Sequence, residues 1–200
     1  MGITHIFETH VQADHLSGAR RLAAVTGAPV FFHESAAIQF PHRDVADGDE
    51  HEMGNVRMRI RHTPGHTPDS VSILVTDRTR APEPWFVLTG DTLFSGGVGR
   101  PDLLGAGVEE RLAEQLFESL HRVLLRLPDH IEVYPAHFGG AACGKGLSGK
   151  PGSTIGFERR FNPALRQESR ADFVEFVLAD LPAQPAAFAE NRRRNLAGEE

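Results

Sequence analysis

Four times along this chain, a short run of residues with β-strand character stops at a turn that holds a histidine or an aspartate. These turns carry His10, His66, Asp91 and His137. Side chains at strand ends are held by a rigid sheet, and histidines and carboxylates are common metal ligands. One histidine in a turn is usually an ordinary surface residue. Four such turns in succession favour a metal site built at the edge of a sheet.

Strand-like and helix-like segments alternate along the chain. Val56, Met58 and Ile60 alternate with arginines, which is the period of a half-buried strand. Leucines recur at helical spacing over residues 109–127 and predict an amphipathic helix. Further strands are predicted at 3–7, 30–32, 71–75, 85–88 and 131–134, and further helices at 17–26 and 170–181.

This alternation predicts one layered α/β domain over residues 1–181. The glycine-rich residues 139–156 predict a long loop. The proline-bearing residues 182–200 predict a flexible C-terminal tail.

The composition argues against several classes of function. The formal net charge is −6, with 27 acidic and 21 basic residues, so a general nucleic-acid binder is not expected. No apolar run reaches the roughly 20 residues of a membrane helix, and no secretory signal is visible. The single cysteine, Cys143, rules out an internal disulfide and a site made of several thiolates. We therefore expect a cytoplasmic protein with no membrane partner.

Four motifs resemble the metal-binding turns of the metallo-β-lactamase superfamily, in the order in which that superfamily has them. Residues 9–15, THVQADH, look like its signature H-x-H-x-D-H. TPGHT at 63–67, TGDTL at 89–93 and YPAH at 134–137 are similar to its later ligand turns. The resemblance implies an α/β fold of the αββα sandwich type.

The same resemblance implies roles for six residues of these motifs. The residues that match the first metal position are His10, His66 and Asp91. Those that match the second metal position of the hydrolases are Asp14, His15 and His137. Two interpretations of the second set remain open: it orients ligands and bound water by hydrogen bonds, or it binds a second metal.

Gln12 stands where the superfamily signature has its second histidine. Zinc hydrolases that resemble glyoxalase II use both histidines of that pair for one metal, and a neutral amide is a poor ligand for Zn²⁺. His10, His66 and Asp91 remain, and two histidines with one carboxylate are the ligand set of non-haem Fe(II) oxygenases. Gln12 therefore favours one Fe²⁺ per chain, with Zn²⁺ as the alternative metal.

Residues 99–102, GRPD, and the YPAH turn resemble the persulfide dioxygenases, and residues 153–165 look like bacterial members, some of which carry fused rhodanese domains. This resemblance implies that a low-molecular-weight thiol persulfide, such as glutathione persulfide, reacts with O₂ to give sulfite and thiol. Arg100 and Tyr134 are then expected to bind substrate, although Arg100 as an anchor of its own loop or in a surface salt bridge is also open. A homodimer and a rhodanese-type sulfurtransferase are the protein partners considered.

Cys143 lies near Lys145 in the glycine-rich stretch. A nearby ammonium favours the thiolate form, so Cys143 could accept sulfur. The alternative is an inert loop cysteine.

Two other functions are consistent with these residues. A zinc thioester hydrolase of the glyoxalase II type would attack its substrate with metal-bound hydroxide. A truncated or degenerate relative would bind metal without catalysis. Superfamily members usually have several strands and a helix before the first motif, and almost nothing precedes His10 here. We therefore expect an N-terminally shortened domain with an exposed, apolar sheet edge.

Overall fold

A computed structural model describes residues 2–105, 107–144 and 146–199. The strands are β1 (Ile6–Phe7), β2 (Val30–His33), β3 (Arg43–Val45), β4 (Glu50–Met53), β5 (Val56–His62), β6 (Val71–Asp77), β7 (Phe86–Gly90), β8 (Leu93–Phe94), β9 (Gly97–Val98), β10 (Glu132–Pro135) and β11 (Ser153–Thr154). The helices are α1 (Ala19–Thr26), α2 (Glu109–Arg122), α3 (Ile155–Phe161), α4 (Arg170–Leu178) and α5 (Ala187–Ala197).

Two sheets pack face to face at the centre of the molecule. The larger sheet has the order β11-β10-β7-β6-β5-β4 and is antiparallel except where β10 runs parallel to β7. The smaller sheet has the order β1-β2-β3, with all strands parallel. Phe31 and Val45 of the smaller sheet share one buried cluster with Met58, Ile60 and Ile73 of the larger sheet. This cluster is the core between the sheets.

Helices cover the outer face of each sheet. Leu74 alternates with Ile73 along β6 and therefore points to the opposite face. There it packs with leucines of α2 and with Phe173 of α4. On the smaller sheet, Ala19 of α1 and Leu196 of α5 pack against the apolar side chains of β1 and β2. The layers are helix, sheet, sheet and helix, which confirms the predicted αββα sandwich.

Helix α2 is shorter than its leucine pattern predicts. Leu112, Leu116 and Leu120 lie four residues apart and are fully buried, so they form the core-facing stripe. The helix ends at Arg122, and Val123 caps it with φ −113° and ψ −69°. The remaining predicted residues form a short 3₁₀ turn, Leu124–Arg126.

The C-terminal residues correct the prediction of a flexible tail over 182–200. Residues 187–197 form helix α5, in which Phe188 and Asn195 are buried. The Asn195 side chain donates to the carbonyls of Gln12 (2.9 Å) and His15 (2.8 Å) and accepts from the Ser17 N–H (2.9 Å). Such hydrogen-bonded anchoring has no periodic sequence signal, and the prolines at the start of this segment predicted a flexible tail instead.

Two other segments bear on the sequence predictions. The predicted loop 139–156 is shorter, because β11 pairs with β10 and α3 begins at Ile155. Among the described residues β1 pairs only with β2, so its other edge is open. No helix in the described ranges is both long and apolar enough to cross a membrane.

Candidate metal centre

The fold brings three strand-end side chains together. His10 follows β1 of the smaller sheet, whereas His66 and Asp91 follow β5 and β7 of the larger sheet. The ligand atoms of the three residues lie within 4.8 Å of one another, and all three side chains are buried. The site therefore sits where the two facing sheets meet, and both sheets contribute to it.

The two imidazoles converge on a single carboxylate oxygen. Asp91 Oδ2 lies 3.3 Å from His66 Nε2 and 3.8 Å from His10 Nε2. The same oxygen is buried and has no hydrogen-bond partner among the described residues. Buried polar atoms are rarely left without a partner. Two imidazole nitrogens around an unpartnered carboxylate oxygen fit a divalent transition metal.

Hydrogen bonds on the far side of each ring direct Nε2 toward this point. The His66 Nδ1–H donates to the carbonyl of Arg100 at 2.9 Å, and His10 Nδ1 lies 3.0 Å from Thr9 Oγ1. A histidine whose Nδ1 carries the proton presents the Nε2 lone pair to a metal. The rings of His10 and His66 stand at 89° to each other, with centroids 5.0 Å apart.

The protonation states of His66 and Asp91 also suit a cation. Burial lowers the pKa of His66 to about 4, so its imidazole is neutral at physiological pH. For Asp91, burial opposes ionisation, but the hydrogen bond from His137 and the nearby imidazoles outweigh it and lower the pKa of the carboxyl group. A neutral His66 and an ionised Asp91 are the ligand forms that a metal needs.

A second group adjoins the first through His137. Its Nδ1 lies 2.8 Å from Asp91 Oδ1 and its Nε2 lies 2.9 Å from Asp14 Oδ2. These bonds to Asp14 and Asp91 raise the pKa of His137 to about 10. His15 Nδ1 contacts Asp14 Oδ1 at 2.8 Å, and the His15 side chain is half exposed. His137 thus contacts Asp91 Oδ1, whereas Oδ2 faces His10 and His66. The orienting role of this second set stays a prediction.

Asp14, His137 and Cys143 also form a group whose ligand atoms lie within 4.8 Å of one another. The second-metal alternative therefore has donors, with Cys143 in the position where sequence reasoning expected His15. Burial raises the pKa of the Cys143 thiol, which opposes the thiolate form that sulfur acceptance requires. Lys145, which was expected to favour the thiolate, lies outside the described residues.

Arg100 is buried and fully engaged with protein groups. Its guanidinium forms a bidentate pair with Asp102, at 2.7 and 2.8 Å, and donates to the carbonyls of Ala142 (3.3 Å) and Pro182 (2.7 Å). These contacts make Arg100 an anchor of three loops, one of the interpretations that the sequence left open. The alternative of a surface salt bridge is wrong, because Arg100 is only 2 % exposed.

Tyr134 lies on β10, where its hydroxyl donates to Glu132 Oε2 at 2.7 Å and its ring packs against Phe86. It is 42 % exposed. Substrate binding by Tyr134 stays a prediction.

Gln12 is 7 % exposed, and its Oε1 has no partner among the described residues. It lines a small cavity of about 20 Å³ together with Glu8, Ser17, Arg20 and Asn195. That volume is about the size of one water molecule.

The sequence did not predict a buried clamp, formed by Glu158 and Asn162, that joins α3 to the β8–β9 hairpin. Glu158 is 1 % exposed and accepts from the Gly96 N–H (2.9 Å), the Asn162 side chain (2.8 Å) and the Ser153 hydroxyl (2.5 Å). Asn162 also donates to the Gly97 carbonyl at 3.0 Å. Together they hold the β8–β9 hairpin, which continues into Gly99 and Arg100 beside His66. The spacing of four residues between Glu158 and Asn162 on a helix was the available signal.

Comparison with known proteins identifies the fold family. Residues 1–137 match the family model described as the metallo-beta-lactamase superfamily. The chain belongs to the metallo-β-lactamase superfamily. This assignment agrees with the αββα layers and with ligands placed at the strand ends.

Three similar proteins are compared with this chain by sequence identity and by the share of each chain that is covered. An uncharacterized protein of Mycobacterium leprae is 40 % identical over 148 residues, which cover 74 % of this chain and 56 % of the relative. The human mitochondrial persulfide dioxygenase is 30 % identical, over 88 % of this chain and 61 % of its own length. A hydroxyacylglutathione hydrolase of Idiomarina loihiensis is 35 % identical, over 68 % of this chain and 47 % of its own. The chain thus spans about half to three fifths of these relatives.

Two solved structures share the fold over the whole chain. A metallo-β-lactamase from Staphylococcus aureus superimposes with a TM-score of 0.91 and 35 % identity, and the match covers 100 % of this chain and 60 % of that one. ETHE1 from Myxococcus xanthus superimposes with a TM-score of 0.83 and 32 % identity, covering 100 % of this chain and 79 % of that one.

Proposed function

We propose that this chain carries the core of an Fe(II)-dependent persulfide dioxygenase, which oxidises a low-molecular-weight thiol persulfide to sulfite and thiol. The observation that carries the proposal is the ligand set of two histidines and one carboxylate around an unpartnered Asp91 oxygen. Such a set leaves open positions for both substrates of an oxygenase. The similarity to the human persulfide dioxygenase supports this choice within the superfamily.

Each residue of the site has its own role in the proposed function. His10, His66 and Asp91 would hold the iron, which when bound would supply O₂ binding and activation beside the persulfide sulfur. His137 fixes one Asp91 oxygen and keeps the other available. The loop that Arg100 anchors holds His66 in its ligand orientation through the Arg100 carbonyl. One persulfide, one O₂ and one water would give one thiol and one sulfite, with release of protons.

The test is oxygen consumption by protein of defined metal content. Protein purified without oxygen and loaded with one Fe²⁺ per chain is expected to consume O₂ and to form sulfite in equal amounts when glutathione persulfide is added. The same protein loaded with Zn²⁺ is the control and is expected to be inactive. Iron-loaded protein that consumes no O₂ would contradict the proposal.

The second candidate function is zinc-dependent thioester hydrolysis of the glyoxalase II type. The group of Asp14, His137 and Cys143 favours it, because it could complete a two-metal site. The Idiomarina loihiensis hydrolase supports it as well. This function predicts two metals per chain and release of thiol from a thioester without O₂. Gln12 counts against it, since the histidine of that position is missing. Metal binding with neither activity would leave a non-catalytic relative.

Localisation in the cytoplasm, assembly as a homodimer and a rhodanese-type sulfurtransferase partner stay predictions. Each follows from the resemblance or from composition.

A further inference from the structure

The turn between β5 and β6 carries a buried acidic residue that the proposed reaction does not use. Asp69 follows His66 by three residues and is 2 % exposed. Acidic side chains are almost never fully buried unless a partner holds them. One partner of Asp69 is a backbone group of the loop that carries His10. The two histidines of the metal centre are therefore joined through this carboxylate.

The bond from Asp69 reaches the residue next to His10. Asp69 Oδ2 accepts from the Val11 N–H at 2.7 Å, and Val11 is 1 % exposed. A hydrogen bond from a backbone N–H to a carboxylate is about twice as strong as one between neutral groups. This bond therefore holds the backbone on the C-terminal side of His10.

A second bond from the same segment holds the other side of His10. The Val71 N–H donates to the carbonyl of Thr9 at 2.8 Å. Thr9 also contacts the His10 ring, because its Oγ1 lies 3.0 Å from His10 Nδ1. Residues 69 and 71 thus fix the backbone before and after His10.

The turn that contains His66 is closed by its own hydrogen bonds. The Thr63 N–H donates to the carbonyl of Ser70 at 2.9 Å. Ser70 Oγ accepts from the Thr67 N–H at 3.2 Å and lies 2.8 Å from Thr67 Oγ1. His66 lies inside this closed turn, so the position of its backbone relative to Asp69 is set locally.

His10 and His66 need such a link because they come from different sheets. Apolar side chains pack the two sheets together, and apolar packing has no preferred direction. A metal site requires its ligands to lie within about 0.5 Å of the productive geometry. Because a hydrogen bond is directional, it can fix the separation of the two imidazoles more closely than packing does.

We propose that Asp69 is a positioning residue of the metal centre. By accepting from the Val11 N–H, its carboxylate holds the His10 loop against the His66 turn and sets the distance between the two imidazoles. Asp69 acts through the backbone of the loop, and the site requires its acceptor oxygen rather than its negative charge. The proposal rests on the proposed function for the assignment of His10 and His66 as ligands, and it does not depend on the reaction at the metal.

The direct test is a titration of metal-free protein with Co²⁺, whose visible absorption reports both affinity and ligand geometry. Asp69→Ala removes the acceptor. It is expected to raise the Kd for Co²⁺ at least about tenfold and to change the spectrum, because His10 is no longer held in place. Asp69→Asn keeps an oxygen that can accept from the Val11 N–H, so both the Kd and the spectrum should stay near those of the wild type.

Asp49 offers a matched control for the loss of a carboxylate. Its Oδ2 accepts from the Ala46 N–H at 2.8 Å, so Asp49→Ala removes the same kind of bond from the turn before β4. This variant should bind Co²⁺ with the wild-type Kd and spectrum. Melting temperatures of all variants separate positioning from a general loss of stability, because a less stable protein with intact ligand geometry keeps its Co²⁺ spectrum.

Nuclear magnetic resonance tests the same link without metal. The rings of His10 and His66 have centroids 5.0 Å apart, so a nuclear Overhauser contact between their ring protons is expected in metal-free wild-type protein. Asp69→Ala should weaken this contact and speed hydrogen exchange at the Val11 amide, whereas Asp69→Asn should preserve both.

The outcomes separate this proposal from the proposed function. An unchanged Kd and spectrum in Asp69→Ala, or equal losses in Asp69→Ala and Asp69→Asn, would overturn the positioning role. If iron-loaded wild-type protein consumes no O₂ but Asp69→Ala loses Co²⁺ affinity and Asp69→Asn regains it, the dioxygenase function fails and the positioning role stands. If the wild type binds no metal, the function fails, and the ring contact in the metal-free variants decides the role of Asp69.

Discussion

Asp91 joins the two groups of metal-binding side chains. One carboxylate oxygen contacts His137 and the other faces His10 and His66. Because the second oxygen has no hydrogen-bond partner in the described part of the chain, its charge is available to a cation. Asp91 belongs to the first group and contacts His137 of the second, so variants of Asp91 and Asp14 can tell one bound metal from two.

We expect Asp91→Asn to abolish stable metal binding, because a neutral amide replaces the only anionic ligand of the first group. Asp14→Asn is the matched control. It removes a partner of His137 and should weaken binding by about 10- to 100-fold while one metal per chain is retained. Competition titration with a chelator and metal analysis measure both. Loss of one of two bound metals in Asp14→Asn would favour the two-metal site instead.

The pairing of His33 and His62 predicts a dependence of stability on pH. The rings are stacked with centroids 3.8 Å apart. Burial, together with the neighbouring His62, lowers the pKa of His33 below its ordinary value of 6.5. At this position the folded state therefore binds fewer protons than the unfolded state, and the contribution of His33 to stability is fully present only above about pH 6.5. Urea unfolding of metal-free protein should show a falling free energy of unfolding as the pH drops below that value.

His33→Gln should make this pH dependence shallower, although its stability at pH 8 can be lower. If the free energy of unfolding of this variant changes with pH between 5 and 7 as steeply as that of the wild type, groups other than His33 cause the dependence on pH. His121→Gln can be compared with His33→Gln in the same unfolding experiment, because burial also lowers the pKa of His121. His121 lies in α2.

At the scale of elements, the β8–β9 hairpin links the metal centre to α3. Glu158 accepts a hydrogen bond from the Gly96 N–H, and Asn162 donates one to the Gly97 carbonyl, so both hold the turn of the hairpin. Gly99 follows the hairpin and lies close to His66 and Asp91. A Cβ atom at Gly99 would overlap the carbonyl oxygen of Asp91 and lie 2.9 Å from His66 Cβ. Only glycine allows the hairpin to approach its ligands this closely.

Gly99→Ala is expected to weaken metal affinity by at least about 10-fold, because His66 and Asp91 must move apart to admit the methyl group. Gly149→Ala is the control, since nothing lies within 4 Å of a Cβ atom there. Both variants are compared by metal titration and by melting temperature. Equal metal affinity in the two variants would show that the site adapts to the added carbon.

The sequence predicts elements whose signal is periodic. The alternation in β5 and the leucine spacing of α2 each predict an element. The turns at strand ends, and the resemblance of their motifs to the superfamily, predict His10, His66 and Asp91. The clamp of Glu158 and Asn162 was missed because its one signal, a spacing of four residues, is common on helices and does not mark a buried carboxylate. Helix α5 was missed for a related reason, since Asn195 holds it to a distant loop by hydrogen bonds. Contacts between residues far apart in sequence decide such features, and composition does not encode them.

At the scale of the whole molecule, the C-terminal helix is bound to the loop that carries His10 and Asp14. Asn195 makes three hydrogen bonds to residues 12–17, and Asn191 adds one to the carbonyl of Ala13 at 3.0 Å. The loop therefore takes its shape from the opposite end of the chain.

Asn195→Ala should lower the free energy of unfolding by about 1–3 kcal/mol, because it leaves buried backbone groups without partners. It should also weaken metal binding through the loosened loop. Arg193→Ala, which removes exposed pairs with Glu190 and Glu199, is the control and should leave the free energy of unfolding nearly unchanged. Denaturant unfolding of the metal-free protein measures the first effect, and chelator competition measures the second. A normal metal affinity in Asn195→Ala would show that the loop holds its shape alone.

The bonds of Asn195 also set an order of events during synthesis. Asn195 lies 183 residues after Gln12 in the sequence. At about 5–20 residues per second, a ribosome needs roughly ten to forty seconds to travel that distance. Throughout that interval the loop with His10 and Asp14 is already made but lacks its last anchor. A nascent chain therefore acquires its finished metal centre late, close to the time when α5 leaves the ribosome.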